Sequence, residues 1–278
     1  MKFSQTPKGQ GRPDHNNAEP TRSIPNQQSA SSAAEPRQKR YQAGSELGSG
    51  GEARIFRGFD TRLEQDIALK LFHKNDESFE AELAALEAIN HHNVVKVLDR
   101  GKNGERPFLV TEFITGADLA KCLSDGRSRK LSLVTPMALQ ILEALAAVHE
   151  AGFCHLDLKA SNIMVTPWAP GCFHYTLIDF GHSRQIGLDN SADPRRDLFA
   201  LGKILYKTLT GREFSLAKPT PANEFATNLS DDFNAWLMNL LDAEIENRPA
   251  SAKEALKSFC SIEKAKPVSP NDLLILAS

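Results

Sequence analysis

Cysteine is scarce in this 278-residue chain, and Cys122, Cys154, Cys172 and Cys260 form no Cys-x-x-Cys pair. That excludes a disulfide framework and the common zinc-ligand spacings, and predicts free thiols in a reducing compartment. Long apolar runs are missing as well. None approaches the roughly 18 residues that crossing a bilayer takes, so no membrane span and a soluble protein are expected. An excess of either charge is also absent: 33 Lys/Arg against 35 Asp/Glu leave a net charge of -2. No general attraction to nucleic acid or anionic lipid follows, and no nucleic-acid partner is expected.

The first 40 residues lack apolar bulk. They hold five Pro, five Ser and five Gln, but only Met1, Phe3 and Ile24 as large apolar side chains. Such a segment cannot bury enough surface to offset the entropy of ordering it, so 1–40 is expected to be a disordered leader. It has no apolar core of a secretory signal, and its prolines oppose the amphipathic helix of a mitochondrial presequence. Seven Lys/Arg against three acids make it basic, leaving 26 against 32 for the remainder.

What is present from Tyr41 onward is patterned. Residues 41–48, 52–59 and 65–72 alternate or run apolar between glycine turns, which predicts three strands. Phe79, Leu83, Leu86 and Ile89 recur at helical spacing and predict a helix over 76–90. Strands are expected at 94–98 and 107–113. After Gly116 helices dominate: 135–151, stopped by Ala151-Gly152, then segments near 195–210, 231–242 and 250–259. Short strands around 162–165 and 175–178 bracket a loop with Pro167, Pro170 and Gly171. A strand-rich part with one helix followed by a helix-rich part predicts an α+β, two-lobed fold. The expected divisions are 1–40 leader, 41–114 small lobe and hinge, 115–260 large lobe, and 261–278 tail.

Three groups carry chemistry. Asp157 and Asn162, five residues apart on one loop, and Asp179 after a short apolar run can bring two carboxylates and an amide oxygen around one volume. Such oxygens suit a hard divalent ion such as Mg²⁺ (or Mn²⁺) holding phosphates, with one carboxylate left to accept a proton. Gly48-Ser49-Gly50-Gly51-Glu52-Ala53, between two predicted strands, lets backbone amides approach phosphate oxygens. A plain Gly-rich hairpin turn is the commoner origin of such a stretch. Lys70 ends the apolar run Ile67-Ala68-Leu69, where a buried ammonium needs a partner, although lysines at strand ends are also common surface residues.

His155-Leu156-Asp157-Leu158-Lys159-Ala160-Ser161-Asn162 with Asp179-Phe180-Gly181 resembles the catalytic and metal-binding loops of eukaryotic-type serine/threonine protein kinases. The resemblance implies a bilobal fold and an ATP-dependent transfer of the γ-phosphoryl group to protein Ser/Thr hydroxyls. It implies Asp157 as the residue that orients or deprotonates the acceptor, Lys159 at the γ-phosphate, and Asn162 and Asp179 as metal ligands. Lys70 would meet the α- and β-phosphates and pair with Glu82, preferred by register over Glu80 and Glu87. Gly48, Ser49, Gly50, Gly51 and Ala53 match the glycine-rich loop, with Ala53 where a third glycine is usual. Ile55, Ala68 and Met164 match the residues sandwiching adenine, and Thr111 the one guarding the rear of that pocket. Glu112, Phe113 and Ile114 match the hinge, and Asp118 the polar residue near the ribose. Leu86, Val97, His155 and Phe180 match an internal apolar column resting on the helix that begins at Asp197, and Arg248 a late structural arginine.

The pattern breaks in two places. Leu156 stands where an arginine commonly precedes the catalytic Asp, and only fifteen residues, 182–196, separate Gly181 from Asp197. That interval has no Ala-Pro-Glu, so Arg248 lacks its usual glutamate, and Asp193 lies too close to Asp197 to be expected in its place. A phosphorylated loop would lack its usual counter-charge. Control by activation-loop phosphorylation is therefore not expected; the chain is expected to be constitutively active or assembled by an activating or docking partner. The rivals are a small-molecule kinase of the aminoglycoside type and a non-catalytic binding module of kinase fold. The expected setting is cytoplasmic. The alternative is a secreted bacterial effector acting in a host cytosol, whose secretion signals the Ser/Pro/Gln-rich leader resembles.

Overall fold

This computed structural model describes residues 40–74, 77–188, 190–226 and 228–262, so the leader to residue 39 and the tail from 263 lie outside the described residues. The small lobe is an antiparallel sheet with one helix. Its elements are β1 (Tyr41–Ser49), β2 (Ala53–Asp60), β3 (Gln65–Phe72), α1 (Glu77–Ala88), β4 (Val97–Asn103) and β5 (Arg106–Glu112), with strand order β1-β2-β3-β5-β4. Ile67 and Phe72 of β3 are fully buried. The register sets Lys70 opposite Ile55 on one side and Leu109 on the other. In α1, Phe79, Glu82, Ala85 and Leu86 are buried at intervals of three, three and one. One stripe of this helix therefore faces inward, and a carboxylate rides on it.

The large lobe continues with β6 (Ala117–Asp118), α2 (Leu119–Cys122), α3 (Leu131–Glu150), β7 (Phe153–Cys154), β8 (Ile163–Ala169), β9 (Cys172–Leu177), β10 (Arg184–Gln185), α4 (Pro194–Thr210), α5 (Asp231–Leu240) and α6 (Ala252–Ser261). Asp193 caps α4 and Pro194 follows at its first position, where the missing N–H costs nothing. Gly211 ends α4 at φ 71°, and a Cβ there would meet the Gly126 carbonyl oxygen at 2.4 Å, so only glycine fits. Ser230 and Ser251 cap α5 and α6 with their hydroxyls. A β-rich small lobe and a helical large lobe make the α+β, bilobal fold expected from the pattern.

Three expectations need correction. β4 starts at Val97, because Val94 instead forms a parallel bridge to Leu177, tying the lobes' strands at the chain crossing. The turn between β8 and β9 is tighter than the expected loop: Pro167 lies inside β8 opposite Phe173, and Gly171 turns at φ 71°. Helix α3 begins at Leu131, with Pro136 inside it. Its 20 residues, of mean hydropathy 1.7, are long and apolar enough to cross a membrane by length and composition. Gln140, Glu143 and His149 break the run in sequence, which hides it from a search for unbroken apolar stretches. More than half of it (56%) is buried inside the protein, where Val134, Met137, Ile141, Leu145 and Val148 lie on the inner face against α4, α6 and β9. That is the behaviour of a core helix.

Candidate active site

Three segments far apart in sequence meet at Lys70. Its Nζ donates to Glu82 Oε2 at 2.5 Å and to Asp179 Oδ1 at 2.6 Å. The β3 register aims the lysine toward α1, and the buried stripe of α1 offers Glu82; Glu80 is exposed and Glu87 pairs with Arg100 at the surface. Burial pulls the Lys70 ammonium down, but Glu82 and Asp179 more than offset it, so it stays charged above the usual lysine range. Burial pushes the Glu82 carboxyl up despite Lys70, with Asp179 adding to the rise. Burial would push Asp179 up too, but Lys70 holds it below the usual aspartate range. Two carboxylates thus share one ammonium, and the residual charge is negative.

The loop after β7 presents the second set. Asp157 Oδ2 accepts from Lys159 Nζ at 2.7 Å and from Asn162 Nδ2 at 3.1 Å, and the same amide donates to the Asp157 carbonyl at 2.9 Å. A 3-10 turn over Ala160–Asn162 folds the five-residue spacing into this contact. Leu156 at φ 60° and Asp179 at φ 66° both occupy the left-handed region, which costs an ordinary side chain roughly 1–2 kcal/mol each. Leu156 is held there by Asp197 Oδ1, which accepts its N–H at 2.8 Å, while Asp197 Oδ2 accepts from His155 N at 2.8 Å. His149 Nε2 lies 3.0 Å from the same oxygen. Phe180 is fully buried and meets the His155 ring at 4.7 Å between centroids. Leu86 and Phe180 are buried in the same core, with Val97 packed against it.

His149, Cys154 and Asp197 also bring one ligand atom each within 4.8 Å of one another. Both Asp197 oxygens are already occupied by N–H donors, and burial pushes the Cys154 thiol up to about 12. The cluster is a hydrogen-bonded brace. Arg248 does not pair with Asp193, whose carboxylate caps α4 and binds Arg195 at 2.8 Å. It donates instead to the carbonyls of Asp242 at 2.9 Å and Arg195 at 3.4 Å, and its guanidinium stands 4.3 Å over the Phe199 ring.

The glycine loop closes the site from above. Gly50 N donates to the Ala53 carbonyl at 3.0 Å, and His73 donates its N–H to the Glu52 carbonyl at 2.9 Å. A Cβ built on Gly48, Gly50 or Gly51 meets nothing within 4 Å, so a ligand has open space along the loop. The Ala53 methyl points into the small-lobe core with Phe72, Phe79 and Leu109, away from that space. Sequence reasoning missed how the loop is fastened. Ser78 Oγ donates to Glu52 Oε2 at 2.5 Å, and His182 bridges the two faces, its Nε2 3.8 Å from Glu52 Oε1 and its Nδ1 3.9 Å from Asp157 Oδ2. Gly181 makes this approach possible, since a Cβ there would lie 2.8 Å from Ser78 Oγ. The only local signal was a histidine directly after Asp179-Phe180-Gly181.

The residues assigned to adenine and hinge fall on two strand pairs and on the segment between them. Ala68 pairs with Thr111 across β3 and β5, Thr111 pairs with Val97, and Asp118 pairs with Met164 across β6 and β8. Glu112 accepts the Lys96 N–H at 2.9 Å, Phe113 stacks under the Arg57 guanidinium at 4.9 Å, and Ile114 packs against the large-lobe core. Asp118 caps α2 by accepting the Lys121 N–H at 2.9 Å and binds the Lys121 ammonium at 2.8 Å. Its carboxylate is thus already employed in the fold. The Ile178 N–H donates to the Asn162 carbonyl at 3.0 Å, setting the segment of Asp179 beside the loop of Asp157 and Asn162. The open glycine cradle, the ammonium at Lys70 and these carboxylate and amide side chains are the donor types that a nucleotide triphosphate with a divalent cation takes.

Comparison with known proteins gives the same direction. The family described as protein kinase domain matches residues 41–196, more than half of the chain. Serine/threonine-protein kinase pkn2 of Myxococcus xanthus is 28% identical over 266 residues, covering 79% of this chain and 32% of that protein. Serine/threonine-protein kinase PknL of Mycobacterium tuberculosis is 31% identical over 201 residues, covering 62% of this chain and 49% of its own length. Serine/threonine-protein kinase PknB of Mycobacterium leprae is 27% identical over 277 residues, covering 82% of this chain and 44% of that protein. The chain thus spans between a third and a half of the length of these curated relatives.

Proposed function

The chain belongs to the protein kinase family, and on that premise we propose that it is an ATP-dependent serine/threonine protein kinase needing no phosphate on residues 182–196. The observation that carries this reading is the Lys70 ammonium joined at once to Glu82 and Asp179 while Phe180 is buried beneath them. Those contacts give the phosphate-binding cation a fixed position before any modification. Lys70 and the glycine-loop amides hold the nucleotide phosphates, and Asp157 orients the acceptor hydroxyl and takes its proton. Lys159, paired with Asp157, favours a Ser/Thr acceptor. Asn162 and Asp179 would hold Mg²⁺ or Mn²⁺, which when bound supplies neutralisation of the phosphate charge.

The shortened connection supports constitutive or partner-driven activity. Its Ser183 is 1% exposed, with its hydroxyl donated to the Ala81 carbonyl at 3.2 Å, so a modifying enzyme would have to unpack α1 to reach it. Leu156 offers no counter-charge for a phosphate. We divide the body into small lobe and hinge 41–114 and large lobe 115–260, with the acceptor being a protein that docks outside the shortened segment. A cytosolic setting, which supplies ATP, is supported by the four unpaired cysteines.

The test is incubation with labelled ATP and Mg²⁺, alone and with a cell lysate, beside Asp157→Asn and Asp179→Ala. Label on protein Ser/Thr that both variants lose supports the proposal. Label confined to small molecules would favour an aminoglycoside-type kinase, and bound nucleotide without transfer a binding module. Strict dependence on a phosphate at Ser183 or Ser191 overturns the mode of control.

A further inference from the structure

On the large lobe lies an apolar cavity of about 180 Å³ lined by Leu119, Cys122, Leu123, Leu133, Met137 and Phe173. A second hollow of about 250 Å³ shares Arg129 with it and continues past Leu131 to Phe225 and Leu229. Together they form a groove along the first turns of α3. Phe225 is 40% exposed beside it, an apolar surface that water otherwise covers. The groove's lip is cationic: residues 118–130 carry Lys121, Arg127, Arg129 and Lys130 against Asp118 and Asp125.

The chain itself contains one segment of matching chemistry outside the described residues. Asp272-Leu273-Leu274-Ile275-Leu276 joins a carboxylate to four consecutive large apolar residues, whereas the leader has only three, all isolated. Its tether is long for the helix it follows. Helix α6 begins beside the far end of α3, where Lys253 pairs with Glu150 at 2.7 Å, and packs against α3. The 20 residues of α3 measure about 30 Å at 1.5 Å per residue. The nine residues 263–271 can carry the chain from Ile262 to Asp272 over roughly 33 Å. Ile262 itself is buried against the large-lobe core, so the tether leaves from that lobe.

We propose that Asp272–Leu276 lies in this groove in cis, its leucine and isoleucine side chains in the two hollows and Asp272 against the Arg127–Lys130 lip. The tail then covers the apolar face of the lobe with the chain's own residues. This inference is independent of catalysis and stands or falls apart from the proposed activity.

Cys122 is the built-in reporter, exposed on the groove wall, while Cys154 and Cys172 are buried. In the full chain carrying Cys260→Ser, maleimide labelling of Cys122 is followed by mass spectrometry. The double substitution Leu274→Asp, Ile275→Asp is expected to speed labelling at least tenfold, with an unchanged melting midpoint. Equal rates with and without the double substitution overturn the proposal. Should the double variant melt early, Leu274→Cys in the same background decides: mild oxidation is expected to join the introduced thiol to Cys122 within one chain. A disulfide between chains, or protection that rises with protein concentration, would assign the groove to a second copy. Protection only after adding lysate would assign it to another protein, and absence of any disulfide rejects the tail as occupant.

Discussion

Asp179 and Asp197 both join distant segments, and they do so on opposite terms. Asp197, 1% exposed, accepts backbone N–H groups from His155 and Leu156 and faces His149 Nε2, so all its demands are met inside the large lobe. Asp179 has an ammonium it must share with Glu82. One carboxylate has both oxygens taken by backbone N–H groups and belongs to the framework. The other is left with negative charge to spare, which a cation and its phosphates would balance. Electrostatic under-satisfaction, rather than burial, distinguishes the carboxylate proposed to hold the cation.

The largest expected contrast comes from removing each carboxylate. Asp179→Ala is expected to lower phosphoryl transfer by about 10³-fold or more, measured with labelled ATP, while the melting midpoint moves by only a few degrees. Asp197→Ala should instead strike stability, because it strands buried N–H groups. A loss of about 3 kcal/mol is expected, lowering the midpoint by roughly 6–12 °C in calorimetry. If the two variants lost activity and stability in equal measure, the division between framework and site would fail.

Lys70→Met sharpens the charged side, with an expected 10²–10³-fold loss of transfer by the same assay. It should also move a titration. Lys70 holds the Asp179 pKa below its ordinary value, so this group contributes stability above the unfolded aspartate pKa. That contribution is lost as pH falls through the lower folded pKa. In Lys70→Met, carbon-detected NMR should find the Asp179 titration shifted upward, and an unmoved titration would remove Lys70 as its cause. The smallest effect concerns the framework's strain. Leu156→Gly relieves a left-handed backbone and should change stability by no more than about 1 kcal/mol, whereas Leu156→Val should cost more in chemical denaturation.

Much of the small lobe was legible because β3 and α1 advertise their buried faces in sequence. The expected strand 65–72 coincides with β3, 41–48 stops one residue short of the end of β1, and 52–59 is offset by one residue from β2. Glu82 emerged over Glu80 and Glu87 from its register before Leu83 and Leu86, and in the fold it shares a buried stripe with Phe79 and Leu86. The reading was poorer where contacts are not local. Val94 leaves β4 for a bridge to Leu177, and Pro136 hides the first turns of α3, since proline usually signals a helix boundary. The resemblance places Asp118 near the ribose, but its use as a helix cap emerges only from the fold.

The sequence by itself determined which chemistry is available: the order and spacing of the glycine loop, Lys70, Glu82, Asp157, Asn162 and Asp179, and with it the kinase family. Spacing along one loop or one helix is a local property, set by φ/ψ preferences and side-chain periodicity. Only the tertiary structure decided how those groups are charged and fastened. Glu52 reaches Ser78, His182 stands between Glu52 and Asp157, and Arg248 turns to backbone carbonyls and Phe199. Such contacts join residues from different elements, and their energies depend on burial and on neighbouring charges. Both arise only when the chain is folded.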